Sequence, residues 1–238
     1  PFRLRRDASI ELFDKIHQSA KAVAKAAKVK SGKEYIKIAG SLGPIVASYK
    51  PELVPSYEEC IDDYRKLVKV QQDGVDLFIC ETMSTIREAK ASVTAANESG
   101  LPSCVSFTLD DRNPFVLRSG ENLSEAIKEM KQLSVEAIMI NCSMPETVSQ
   151  ALPVLTGSFP KVGAYANAFQ SVESLRAGGT VESLKGRKDL TPDLYLDYAL
   201  KWLDMGASII GGCCEVGPRH IKAIHSELSK KGYLFEAI

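Results

Sequence analysis

The sequence predicts an α/β protein built on a parallel sheet, and three observations point to it. Short apolar runs alternate with amphipathic stretches of helical period six times in succession, each unit taking about 25–40 residues. The apolar runs are nearly continuous, which is the habit of strands buried on both faces under helical crossovers. No Gly-x-Gly-x-x-Gly follows any of them, which weakens a dinucleotide-binding open sheet and favours a (β/α)8 TIM barrel. A full barrel takes about 250 residues. Six units behind a leading helix therefore look like a barrel lacking its first two strands, with residues 1–238 forming one incomplete barrel domain. The chain starts at Pro1 without an initiator Met, so a fragment or a processed chain is expected.

The elements follow in order. Residues 8–28 read as an amphipathic helix, with Ile10, Phe13, Ile16, Ala20, Val23, Ala24 and Ala27 on one stripe. A strand is expected at 35–42, closed by Gly43-Pro44. The stretch 56–72 is helical, with Tyr57, Ile61, Tyr64, Leu67 and Val68 on one side. A strand at 75–80 precedes a helix at 84–98 that ends at Gly100. Strands at 101–109, 135–142, 161–168 and 207–213 are followed by helices at 121–133, 145–155, 191–205 and 218–230. Gly206 ends one of these helices and Gly217-Pro218 starts another. The longest irregular stretch is 169–190, which carries Gly178-Gly179. It follows a strand, so it belongs to the face where barrel active sites sit.

Composition excludes several classes. With 45% hydrophobic and 25% charged residues the chain is an ordinary globular protein. Thirty basic residues balance thirty acidic ones, which argues against a nucleic-acid binder. No apolar run approaches the ~18 residues that span a bilayer. Six cysteines are too few for a disulfide scaffold at this size.

Catalytic groups of a parallel barrel sit at the C-terminal ends of its strands. The strand ends here carry Cys80-Glu81-Thr82, Asn141-Cys142-Ser143, Tyr165-Ala166-Asn167 and Gly211-Gly212-Cys213-Cys214. Successive residues of an extended strand face opposite ways, so Cys213 and Cys214 reach one centre only if the chain turns there. The glycine pair supplies backbone freedom and room for a close approach. A disulfide between neighbours would be strained. Zinc takes thiolates in tetrahedral geometry, and a catalytic site typically has three protein ligands and one open position. Cys142, Cys213 and Cys214 make that set. Cys60, Cys80 and Cys104 read as small core residues. His17, His220 and His225 read as surface or packing residues on helices. Glu81, at a strand end, is either a surface carboxylate or a partner for a substrate ammonium.

At these residues the sequence resembles the homocysteine S-methyltransferase family, zinc-dependent thiol and selenol methyltransferases with a (β/α)8 fold. The motifs are Gly211-Gly212-Cys213-Cys214 with Pro218 and His220-Ile221, Ile140-Asn141-Cys142, Glu81-Thr82-Met83 with Glu88-Ala89, and Gly40-Ser41-Leu42-Gly43-Pro44. The resemblance implies that Cys142, Cys213 and Cys214 bind Zn2+, that Glu81 contacts the substrate amino group, and that Asn141 lines the same pocket. It implies methyl transfer from a cationic donor, S-methylmethionine in preference to S-adenosylmethionine or betaine, to homocysteine, giving methionine. The partners expected are these small molecules, with no nucleic acid and no membrane, and the compartment expected is the cytoplasm. The family's Asp-Gly-Gly first-strand motif has no counterpart here. Cys-Cys continues as Glu215-Val216-Gly217, where family members often have Gly-Thr. Two other readings stay open: a redox thiol centre, and a non-catalytic protein on a degenerate barrel.

Overall fold

Sequence order and sheet order coincide in this molecule. The computed structural model describes residues 12–175, 179 and 181–236. Helix α1 (Phe13–Ser31) leads into β1 (Ala39–Leu42), α2 (Tyr57–Gln71), β2 (Leu77–Met83), α3 (Ile86–Asn97) and β3 (Ser103–Phe107). A hairpin of β4 (Leu109–Asp110) and β5 (Asn113–Leu117) comes next. The alternation then resumes with α4 (Leu123–Met130), β6 (Ala137–Asn141), α5 (Pro145–Thr156), β7 (Val162–Tyr165), α6 (Pro192–Asp204), β8 (Ile209–Ile210) and α7 (Pro218–Lys230). The expected helix residues 8–11, including Ile10, lie outside the described residues, as does Gly178.

Six strands form one parallel sheet in the order β1-β2-β3-β6-β7-β8. Neighbours in this series pair with one another, and right-handed crossovers then put the connecting helices α2–α6 on the same face. A doubly wound sheet would need helices on both faces. Among the described residues β1 and β8 are free edges, so the sheet is an open parallel α/β layer.

The helical face of the sheet holds the main core. Phe78, Val105, Phe107, Ile138, Ile140 and Val162 pack there against Ala89, Val93, Ile127, Val148, Leu152 and Trp202. The alternate strand residues make a smaller apolar cluster on the other face, with Leu77, Cys104, Ala137 and Met139 against Ile79, Tyr165 and Ile209. A close approach holds this second cluster together. A Cβ at Gly163 would come within 2.8 Å of both Met139 and Ile209.

Helix starts follow their cap residues. Ser56 and Glu59 form a reciprocal capping box at α2. Thr85, Asn122 and Thr191 accept backbone N–H bonds at the starts of α3, α4 and α6. Pro145, Pro192 and Pro218 occupy the first helical position, where no N–H is needed.

Three expectations need correction. The strand expected at 35–42 pairs only over Ala39–Leu42, and that at 207–213 only over Ile209–Ile210. The latter is short because the chain leaves the ladder at Gly211-Gly212 to make the turn described below. Residues 109–117, expected to pass from strand into loop, form the antiparallel β4–β5 hairpin instead. No helix among the described residues is long and apolar enough to cross a membrane.

Trp202 anchors α6. Its ring is fully buried, edge-on to Tyr195 with centroids 5.7 Å apart, and its Nε1 donates to Ser149 Oγ at 2.9 Å. Trp202→Ala is expected to destabilise the fold by about 3–5 kcal/mol. A urea titration checks this, and an unshifted midpoint would show that the indole does not hold α6 to α5.

Candidate metal centre

The C-terminal ends of β6 and β8 lie on either side of β7. The ladder pairs Asn141 with Tyr165 and Ala164 with Ile210. Cys142 follows β6 directly and leaves the ladder with φ of 48°, its N–H donating to Tyr165 O at 3.4 Å. Beyond β8, Gly211 N–H donates to Ala164 O and Cys213 N–H to Ala166 O. The chain then turns: Val216 N–H reaches back to Cys213 O at 3.1 Å, and Glu215 takes φ of 65°. That turn lets adjacent cysteines face one point. Gly212 is needed for room here, because a Cβ on it would collide with the Val216 side chain. Neither Gly211 nor Gly212 has a positive φ, so close approach is the requirement and left-handed backbone freedom is not.

The three sulfurs of Cys142, Cys213 and Cys214 lie within 4.8 Å of one another. Cys213 Sγ and Cys214 Sγ are 3.9 Å apart. Tetrahedral zinc with bonds near 2.3 Å keeps its sulfurs about 3.8 Å apart, so the vicinal pair already has the required spacing. Cys142 and Cys213 are joined as a disulfide across 71 residues, with Cα atoms 5.8 Å apart. Metals take the thiolate, so this pair offers two ligands only when reduced. The donor set of the reduced centre fits zinc.

Glu81 rises from β2 on the sheet face opposite the helices, half-buried, between the two edges of the mouth. Ser41 Oγ donates to its Oε1 at 2.6 Å and Tyr165 OH to its Oε2 at 3.3 Å. Two hydroxyls orient the carboxylate and leave it further acceptor sites. Asn141 is fully buried and bridges two strand ends. Its Oδ1 accepts from Thr82 N–H at 2.9 Å, its Nδ2 donates to Thr82 Oγ1 at 2.8 Å, and the same Nδ2 lies 4.0 Å from Cys213 Sγ. Thr82 has φ of 64°, so this pair of bonds holds it in an uncommon conformation.

The remaining cysteines are core residues. Burial pushes the Cys60 and Cys80 thiols up to about 12 and the Cys104 thiol up to about 11. Burial also raises the Cys214 thiol. The histidines are engaged away from the three sulfurs. His17 Nδ1 contacts Phe13 O at 2.8 Å, and His225 stacks on Phe235. Gly217 N–H donates to His220 Nδ1, so His220 Nε2 carries the proton that reaches Leu190 O at 3.1 Å.

Sequence reasoning did not find four residues that surround the centre. Tyr49 has φ of 63° and packs with Cys142, Phe169 and Val172 over Cys213 and Cys214. Thr108 Oγ1 donates to Cys142 O at 3.1 Å. Asp111 Oδ1 accepts from Met144 N–H and Thr147 Oγ1, capping α5 from outside it. Arg118 binds Thr108 Oγ1 and Asp111 Oδ2. Three of the four belong to β3's end or the hairpin behind it. Their only sequence signal is that they follow a strand end.

Comparison with known proteins bears on this site. Residues 3–228 match the family described as Homocysteine S-methyltransferase. The chain is 27% identical over 166 residues to Homocysteine S-methyltransferase 2 of Arabidopsis thaliana, covering 69% of this chain and 48% of the relative. It is 29% identical over 207 residues to Selenocysteine methyltransferase of Astragalus bisulcatus, covering 82% and 59%. Among solved structures, the metallated form of the homocysteine methyltransferase MmuM from Escherichia coli superposes with a TM-score of 0.71 at 25% identity. That match covers 91% of this chain and 70% of MmuM. The chain thus spans about half the length of the curated relatives it matches.

The Gly212 contact is testable. Gly212→Ala is expected to destabilise by about 1–3 kcal/mol through the clash with Val216, and adding Val216→Ala should recover most of it. Thermal unfolding of the two variants decides this. A loss that Val216→Ala leaves untouched would show that crowding at the turn is not the cause.

Proposed function

The chain belongs to the homocysteine S-methyltransferase family, and on that premise we propose that it transfers a methyl group from a cationic donor, S-methylmethionine by preference, to the sulfur of homocysteine. The gathering of Cys142, Cys213 and Cys214 at one end of the sheet carries this reading. Zinc bound there by three thiolates would lower the pKa of an incoming thiol and keep its sulfur nucleophilic at neutral pH.

The chain's own residues do the rest. Glu81, oriented by Ser41 and Tyr165, receives the ammonium of homocysteine. Asn141, locked to Thr82, forms the floor of the pocket beside Cys213. In the transfer, the sulfur lone pair forms a bond to the methyl carbon while that carbon's bond to the donor sulfonium breaks. The electron pair stays on the donor sulfur, which leaves as a neutral thioether. With S-methylmethionine both products are methionine. No proton moves in this step, which accords with His17, His220 and His225 being engaged elsewhere. Three thiolates around a divalent cation leave the centre net negative, which favours a cationic donor. A reduced thiol set belongs in a reducing compartment such as the cytoplasm.

We read residues 1–238 as one domain and its sheet as six strands of a (β/α)8 barrel. Strand order and the one-sided helix layer support this. So does an apolar cleft of about 480 Å³ between the free edges, lined by Leu77, Ile79, Ile209 and Leu228 among others. Two further strand–helix units would bridge it.

The Cys142–Cys213 disulfide favours a second reading, a redox thiol centre. Metal analysis of protein purified under reducing conditions separates the two. The expected result is about one zinc per chain and loss of most of it in Cys213→Ala with the fold retained. Methionine should form from homocysteine with S-methylmethionine. Glu81→Gln removes a charge-assisted contact of about 1.5–3 kcal/mol, so kcat/KM for homocysteine should fall by about 10–100-fold. Unchanged zinc in Cys213→Ala, or no methionine with S-methylmethionine, S-adenosylmethionine or betaine, would overturn the proposal.

A further inference from the structure

Two strand ends supply the three sulfurs, and one arginine outside the centre touches the supports of both. Arg118 follows β5, and its side chain is only 11% exposed. Its Nε donates to Thr108 Oγ1 at 3.0 Å. Because that oxygen accepts from Arg118, the Thr108 hydroxyl proton is directed at Cys142 O, 3.1 Å away. One Nη of Arg118 also lies 3.5 Å from the same carbonyl. The guanidinium lies over the Tyr49 ring, 4.9 Å from its centroid. Tyr49 in turn belongs to the apolar cluster against which Cys213 and Cys214 pack. Asp111 fixes the guanidinium from behind at 2.8 Å and caps the helix that starts two residues past Ser143.

We propose that Arg118 is the positioning residue of the three-sulfur centre, holding the Cys142 arm through Thr108 and the Cys214 arm through Tyr49. The proposal rests on the zinc reading above. A planar cation suits the task. It donates along its edge to hydroxyl and carboxylate while its face stacks on an aromatic ring, which an ammonium cannot do in one geometry. Groups one bond removed from metal ligands typically change metal affinity by about 10–100-fold when lost. The hairpin β4–β5 thereby acquires a role: it carries Arg118 to the place where the two arms converge.

The test compares the reduced parent chain with Arg118→Ala, Arg118→Lys, Thr108→Val and Tyr49→Leu. Zinc affinity is measured by competition with a chromogenic chelator. The absorption of the cobalt-loaded proteins reports the number of thiolate ligands and their geometry. Arg118→Ala is expected to weaken zinc by about 10–100-fold and to alter the thiolate-to-cobalt bands, with Arg118→Lys failing to restore either. Thr108→Val and Tyr49→Leu, which remove the hydroxyl link and the stacked ring, should each weaken zinc by less. They keep the proposal testable should loss of the Asp111 partner unfold Arg118→Ala. A folded Arg118→Ala within twofold of the parent, or Thr108→Val and Tyr49→Leu both unchanged, overturns the proposal while leaving the zinc reading standing. A reduced parent that binds no zinc overturns both.

Discussion

The parallel hydrogen-bonded register of β6, β7 and β8 is the constraint on which the centre depends. Met139 pairs with Gly163 and Ala164 with Ile210, so the ends of two strands stand level across a third. A slip of one residue in either pair would turn every inward side chain outward. Asn141 and Cys213 would then face the helices, in the apolar surroundings that hold Cys80. The close approach at Gly163 helps define that register, since any side chain there would push Met139 and Ile209 apart. A site built from residues 71 positions apart thus rests on backbone pairing and on one missing methyl group.

Around the mouth, buried polar groups are tied into a network that fixes the loops. Glu88 is fully buried in the first turn of α3 and accepts from Ile45 N–H at 3.1 Å, holding the loop that leads to Tyr49. Burial raises its pKa, the hydrogen bonds to it opposing that trend. Tyr64 OH donates to Gly43 O in the same loop. Ser143 Oγ accepts from Leu109 N–H and donates to Asn141 O, joining the hairpin to β6. On the far side, Arg187 pairs with Glu146 and Asp189, fastening the segment after β7 to the start of α5. Each of these bonds involves a group that would be costly to bury alone. Together they hold the strand ends in place, with Cys142 buried and Cys213 and Cys214 partly exposed.

Much of this was legible in the sequence, and the reasons differ from element to element. The alternating units could be read because burial on both faces makes a strand continuously apolar and because cap residues mark the helices. Ser56, Thr85, Thr191 and Pro218 all stand where such signals predict. The three sulfurs could be read because a Gly-Gly-Cys-Cys run has few structural explanations. The hairpin at 109–117 could not, since the polar run Asp110-Asp111-Arg112-Asn113 interrupts it and its strands pair with each other rather than joining the main sheet. Arg118 and Asp111 were invisible for a related reason. A charged residue after a strand is usually solvated, and only the fold reveals that these two meet each other under Tyr49. Asn141 was found by position, but its bonds to Thr82 depend on the alignment of β2 with β6, which no local pattern encodes.

Among the described residues four other than glycine hold positive φ, and these, Tyr49, Thr82, Cys142 and Glu215, lie in the strand ends and loops that meet at the sulfurs. Such conformations each carry about 1–3 kcal/mol that surrounding contacts must offset. The helical face of the sheet has no comparable burden. Free energy is therefore distributed unevenly through the molecule, with the mouth the least favourable region and the apolar layer the most. Amide protons of the mouth should exchange through local openings well before the rest of the sheet gives way. Under the proposed transfer, a centre that admits a thiol and releases a thioether would benefit from sitting where the fold resists opening least.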